Sequence, residues 1–334
     1  MKEEFETPRV ILCLGEMMPS GACAYRIKRN ECYLLSKMGW KVLFVTPDLF
    51  PRLRAKREWD SNNFLRIFTP GFAPIRFRRG GFGLLDLLFK SWLALTTNYD
   101  VLHVSCGHRP AQFVPALIAR YRGKPTVDEW WEWYGKGGRA ETRSNGIAQL
   151  IALYDKTFEL SLKKFFTHIV AISKALIDRI PHHPSVSCLN GGIESHVINM
   201  AAQSESKSRP KDFRETSLVL GMVSLGRSEE TDLEPVFCAL DLCVESGIDF
   251  QLFLTGESDY INECILSRYP EETVIYKGWL TVNEYTNFLK ACDAFILPLA
   301  NTPINRGRWP HKFGDYMAFR KYIIVNTVGD LEDA

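Results

Sequence analysis

Short apolar strands alternate with amphipathic helical stretches up to about residue 200. The alternation then breaks and starts again. No other feature limits the fold so tightly. Apolar runs of strand length separated by helix-length segments build parallel sheets covered by helices on both faces. In the first half VILCL (10–14), KVLFVTP (41–47), VLHVS (101–105), PTVDE (125–129), HIVAIS (168–173) and SVSCL (185–189) read as strands. Residues 22–38 read as a helix with Tyr25, Cys32, Leu35 and Met38 on one face. Residues 201–216, AAQSESKSRPKDFRET, are polar and charged and carry a proline, the composition of a linker. Beyond them SLVLGMVS (217–224), FQLFLTG (250–256), TVIYKG (273–278), AFILPL (294–299) and YIIVN (322–326) restart the rhythm, with helical segments at 231–246 and 281–291. The expectation is an α/β chain of two doubly wound, Rossmann-like domains: residues 1–200, a linker at 201–216, and residues 217–334. The second domain has five strands and no helix after the fifth, so it is expected to lack its C-terminal end.

Bulk properties exclude several classes. Apolar residues make up 46% and charged residues 24%, a soluble globular composition. A net charge of +2 carries no domain-wide basic footprint, so no nucleic-acid partner is expected. Nine cysteines without a C-x-x-C pair point to reduced thiols and a cytoplasmic protein. The acidic, polar start MKEEFETPRVILCL is not a secretory signal, and no run of about 18 apolar residues exists to span a bilayer.

In doubly wound sheets ligands bind where loops leave the C-terminal ends of strands. After the first strand, Gly15 and Gly21 allow close approach of backbone to a ligand ahead of a helix start, or form an ordinary strand–helix turn. DEWWEWYGKGGR (128–139) interleaves Asp128, Glu129 and Glu132 with Trp130, Trp131, Trp133 and Tyr134. Aromatic faces beside carboxylates suit sugar rings, which offer C–H faces and hydroxyl donors. The other reading is a domain-interface loop with core tryptophans. The glycines of GKGGR suggest a flexible flap carrying Lys136 and Arg139. Among the acids Glu132 is the first candidate for polarising an acceptor hydroxyl and Asp128 the second.

In the second half Arg227 follows a strand end, where it could hold a phosphate. The loop 300–312 carries Arg306, Arg308 and Lys312, and Pro310 sits at or just before the first turn of a helix. That helix start, with free N–H groups, is an anion site, and Asp315 just inside it can accept two ribose hydroxyls. RFRRGGFGLLDLLFKSWLAL (76–95) is basic, then amphipathic. It reads first as a core-facing helix with Asp86 and Lys90 as a solvent-side i,i+4 pair, and second as a segment touching an anionic membrane surface.

The chain resembles the GT-B glycosyltransferases of family 4 type, the glycosyl transferases group 1. The resemblance runs through PSGACAYR, GWKVLFVTP, YDVLHVS, HIVAISKALIDRI and SVSCLNGGIE, then LGRS, FLTGE, VIYKGWL, YTNFLKACDAFILPL and PHKFGDYMAFRKYIIV, in the family's order. The last segment is similar to the family's P.K..EYMA.GKPVV pattern. The resemblance implies two domains facing a cleft and transfer of a hexose from a UDP-, GDP- or ADP-type sugar donor to an acceptor hydroxyl. It further implies retention of configuration, no metal and no other cofactor. Polysaccharide or glycoconjugate synthesis is the implied setting, with a lipid-linked acceptor and peripheral contact at the inner membrane surface as one form of it. Donor contacts would fall to Gly15, Gly21, Arg227, Arg308, Lys312 and Asp315. The sequence departs from the pattern in three places: no lysine follows Arg227, Gly307 stands where the first of two glutamates belongs, and DEWWEWYG replaces a histidine region. A non-catalytic or truncated GT-B-like binding protein is the alternative.

Overall fold

The computed structural model describes residues 9–15, 23–48, 53–71, 81–193, 195–202, 213–214, 217–223, 230–256 and 264–333. The chain divides into two compact units, Met1–Leu189 and Asn190–Ala334. Each has its own sheet, of eight strands in the first and five in the second.

The first unit contains β1 (Val10–Leu14), β2 (Lys41–Pro47), β3 (Lys56–Ser61), β4 (Phe64–Thr69), β5 (Val101–Ser105), β6 (Thr126–Trp130), β7 (His168–Ala171) and β8 (Val186–Cys188), in the order β3-β4-β2-β1-β5-β6-β7-β8. All neighbours are parallel except β3 against β4. This hairpin departs from the expected strand set. KREWDS is a charged, largely exposed edge strand, and FLRIFT, though mostly buried, has its apolar run broken by Arg66, so neither reads as a continuous apolar strand. Central β1 is buried along almost its whole length, as a strand covered on both faces must be.

The longer helices of this unit are α1 (Cys23–Lys37), α2 (Leu84–Thr96), α3 (Pro110–Tyr121) and α4 (Gly146–Phe158). Right-handed crossovers put α1, which steps from β1 to β2, on one face of the sheet. The same rule puts α2, α3 and α4, which all step the opposite way, together on the other face. Tyr25 and Cys32 of α1 face inward as expected, whereas Met38 is exposed, because the helix ends at Lys37. The orientation expected for α2 is reversed. Asp86 and Lys90 are buried, and Lys90 Nζ donates to Asp86 and to the Gly15 carbonyl, both at 2.8 Å.

The second unit contains β9 (Leu218–Val223), β10 (Phe250–Thr255), β11 (Val274–Tyr276), β12 (Ala294–Leu297) and β13 (Tyr322–Val325), all parallel, in the order β11-β10-β9-β12-β13. Period-two alternation splits its strands between two core layers. Leu220, Met222, Leu252, Leu254 and Ile296 enter one, and Val219, Val223, Phe253 and Phe295 the other. Gly221 is required between them: a Cβ there would lie 2.5 Å from the Phe295 ring. Short α5 (Lys174–Ile177) closes the first unit's list. The second adds α6 (Ser195–Ala202), α7 (Glu234–Glu245), α8 (Val282–Ala291), α9 (Pro303–Arg306) and α10 (His311–Ala318). The Thr281–Glu284 capping box starts α8.

Candidate functional site

Helix α10 is fixed by aromatic packing. Tyr316 stacks on Phe295 of β12 with ring centroids 4.1 Å apart, and Trp309 meets Phe313 edge-on at 5.5 Å. Its start follows Pro310, as the sequence predicts. Gly191 packs against Trp309, where a Cβ would come within 2.7 Å of the indole, so the NGG loop at 190–192 borders this helix start. Lys312 Nζ reaches the Val223 carbonyl at the C-terminal end of β9, at 2.6 Å. Arg308 pairs with buried Glu230 at 2.7 Å. Asp315 accepts from Tyr285 of α8 at 2.9 Å. The structure thus brings Arg308, Lys312 and Asp315 into one segment beside β9. Arg227 lies outside the described residues, as does Gly21. Gly15 belongs to the first unit, its N–H bound to the Val45 carbonyl and its own carbonyl to Lys90.

In the first unit the loop after β6 is held from beneath by Glu159, which follows α4 and is buried. Its Oε1 accepts from Trp130 Nε1 (3.1 Å) and the Tyr134 amide (2.7 Å). Its Oε2 accepts from the Gly135 amide (2.9 Å) and Arg179 (2.6 Å). Burial raises the cost of this charge, yet Arg179 and the Tyr134 amide hold the carboxyl below its ordinary range. The stretch expected as a flexible flap is folded back tightly. Gly138 has the Trp133 carbonyl 2.0 Å from where a Cβ would sit, and Arg139 donates its amide to that carbonyl. Two of the tryptophan faces are covered by cations, Trp130 by Lys163 at 4.2 Å and Trp133 by Arg179 at 4.1 Å.

The two candidate acids sit in different environments. Glu132 is partly exposed and bound to Arg139 Nε at 2.7 Å. Asp128 is fully buried, paired with Lys163 at 2.6 Å, and accepts the Gly107 amide at 2.7 Å. It thereby holds the turn after β5, where Cys106 takes a left-handed φ of 58°. Beside that turn His108, Arg109 and Arg143 converge on buried Asp155, whose carboxyl they hold low against the opposing effect of burial. Burial pushes the His108 imidazole down.

A second polar cluster escaped the sequence reading. Glu31 of α1, His103 of β5 and Glu129 of β6 bring ligand-type atoms within 4.8 Å of one another. The position a cation would take is already filled by buried Lys28. Its Nζ lies 2.7 Å from Glu129, 3.0 Å from Glu31 and 3.2 Å from His103. Burial disfavours that charge, but Glu129 and Glu31 outweigh it and raise the Lys28 pKa. Burial together with the neighbouring Glu31 charge pushes Glu129 up. The signal was a lysine on the inner face of α1, three residues from Tyr25 and four from Cys32, which periodicity alone assigns to the core.

No protein-family model matches the sequence, and no curated protein matches it. Solved structures do. Sucrose-phosphate synthase from Thermosynechococcus elongatus matches 97% of this chain and 83% of its own, at 12% identity and a TM-score of 0.62. The catalytic domain of starch synthase IV from Arabidopsis thaliana, bound to ADP and acarbose, matches 98% of this chain and 84% of its own, at 13% identity and a TM-score of 0.60. Anabaena HepE in complex with UDP and glucose matches 97% and 82%, at 13% identity and a TM-score of 0.57. The chain has the GT-B fold of the group 1 glycosyltransferases.

Proposed function

We propose that this chain is a glycosyltransferase that moves a hexose from a nucleotide-sugar donor to an acceptor hydroxyl, with retention and without a metal. The observation that carries the reading is the Arg308–Asp315 segment beside the end of β9, on a fold whose neighbours include complexes with ADP and with UDP. In this reading the start of α10, Lys312, Arg308 and Arg227 hold the diphosphate, and Asp315 holds the ribose. Gly15 and Gly21 let backbone approach the donor closely. Positive side chains and N–H groups aimed at the departing diphosphate stabilise its charge as it develops.

The acceptor side falls to the loop after β6. With Trp130 and Trp133 covered by Lys163 and Arg179, Trp131 is the ring assigned to the acceptor. Glu132 polarises the acceptor O–H. The hydroxyl oxygen bonds to the anomeric carbon as the bond from that carbon to the diphosphate breaks on the same face. The proton passes to the departing phosphate oxygen. Asp128, sealed by Lys163, acts through the Gly107 turn rather than on substrate. The setting is synthesis of a polysaccharide or glycoconjugate on the cytoplasmic side.

Thermal unfolding of the full chain with UDP-, GDP-, ADP- and TDP-sugars tests the reading. A ligand that binds only the folded state at a hundred times its Kd adds about 2.7 kcal/mol by mass action. One nucleotide class is expected to raise Tm and the others not. No shift with any of the four at millimolar concentration overturns it.

A further inference from the structure

Glu230 is a buried carboxylate, 2% exposed, beside Arg308, one of the cations proposed to hold the diphosphate. A negative charge there repels phosphates, so on charge alone any neutral residue would serve the site better. The geometry gives Glu230 another task. Arg308 Nη1 donates to its Oε2 at 2.7 Å, while 23% of the Arg308 side chain stays exposed. The guanidinium carries its N–H donors in one rigid plane, so anchoring one nitrogen sets the direction of the others.

The anchor is itself pinned. The Glu230 carbonyl accepts from the Ala300 amide at 3.1 Å and from Asn305 Nδ2 at 2.8 Å. Thr231 bridges Leu299 in antiparallel register, and the Asp232 amide donates to the Pro298 carbonyl at 3.2 Å. Asn305, 1% exposed, donates to the Ala300 carbonyl as well, at 2.7 Å. The Thr302 hydroxyl caps α9 by accepting the Asn305 amide. On the other side of α9 a Cβ at Gly329 would lie 3.0 Å from the Arg306 backbone, so that side is closed by packing. Residues 230–232 thereby hold down the loop 298–308, and Arg308 ends that loop two residues before Pro310. Lys312 is tied in a different way, to the backbone carbonyl of Val223. Glu230 with Arg308 is a side-chain pair, which substitution can take apart.

We propose that Glu230 is a positioning residue of the donor site: its carboxylate holds the Arg308 guanidinium in the orientation that meets a phosphate oxygen of the nucleotide. The inference rests on the donor reading above. Without the anchor the long arginine side chain samples several rotamers, and ordering it on binding costs affinity.

The test is calorimetric titration of the full chain with UDP, GDP, ADP and TDP at a temperature well below Tm. Repulsion and positioning predict opposite signs. Loss of a repelling carboxylate tightens nucleotide binding, and loss of an anchor weakens it. Glu230→Ala is expected to raise the Kd of the nucleotide that binds by at least about fivefold, and Glu230→Gln, which keeps the volume, by at least about twofold. The weakening is expected to vanish in an Arg308→Ala background, where no guanidinium is left to position. A merely structural role would lower affinity in both backgrounds alike. Kd values for both Glu230 variants equal to or below that of wild type overturn the proposal. Equal weakening in the wild-type and Arg308→Ala backgrounds overturns it too. Binding of none of the four nucleotides by wild type overturns the donor reading, and this proposal with it.

Discussion

Removing the Glu159 carboxylate should loosen the loop that carries Glu132. Glu159→Ala deletes an acceptor that serves Trp130, Tyr134, Gly135 and Arg179 at 2.6–3.1 Å in a buried position. Breaking a buried ion pair by removing one partner costs about 3–5 kcal/mol, mostly because the other charge is stranded. Arg179 is largely buried and also lies over the Trp133 ring, so it cannot move to solvent without uncovering that indole. Glu159→Gln keeps an oxygen for the Trp130 and Tyr134 donors but turns its amide toward Gly135 and Arg179. Losing the charged hydrogen bond should then cost about 1.5–3 kcal/mol. Urea unfolding measures both, with unchanged slopes showing that stability alone has shifted. In Arg179→Met the Glu159→Ala cost should shrink by at least about 1 kcal/mol, because the two residues are in contact. The effect has a pH signature. The folded Glu159 pKa is depressed, so its contribution is present above the unfolded value of about 4.3 and disappears as pH falls through the folded value. The gap between wild type and Glu159→Gln should therefore be flat from pH 6 to 8 and close below about pH 4. A Glu159→Ala cost under about 1 kcal/mol at pH 7, or a gap independent of acid pH, would refute the reasoning.

Glu132→Gln should lower turnover about a hundredfold to ten-thousandfold while donor affinity holds, and near-normal turnover would make the loop a structural wall. Lys312→Ala should weaken nucleotide binding by about 1.5–3 kcal/mol, read by calorimetry; unchanged affinity removes it from the diphosphate site. Lys28→Met strands Glu31 and Glu129 and should cost about 3–5 kcal/mol on urea unfolding. The same variant should gain a zinc-dependent rise in Tm that wild type lacks, since Glu31, His103 and Glu129 then face a vacated cation position. Arg320 holds a left-handed φ of 54° just past α10, with Lys321 N–H on the Tyr316 carbonyl and Arg320 N–H on that of Met317. This is the position where glycine ends helices. Arg320→Gly should stabilise by about 0.5–1 kcal/mol, and a destabilised variant would show that the arginine side chain matters more than its backbone.

Much of the architecture was legible in the chain itself. All five strands of the second unit lie within their expected ranges: β9, β10 and β12 are buried on both faces and leave continuous apolar runs, and the edge strands β11 and β13 keep short apolar runs although they are partly exposed. The helix start at Pro310 was equally legible, since proline and the segment around it act locally. The hairpin of β3 and β4 was not, because β3 is a charged edge strand half in water and Arg66 breaks the apolar run of buried β4. Pairing over distance was also beyond reach. Glu159 meets Trp130, Asp128 meets Lys163 and Lys28 meets Glu129 across many residues, and no local pattern links them. Helix α2 shows the limit most clearly. Its periodicity declares two faces, one apolar and one charged, but not which meets the sheet. Tertiary structure placed Lys90 under the Gly15 carbonyl with Asp86 to balance its charge, and this buried pair left Leu84, Leu88 and Leu95 outside while Leu93 went in.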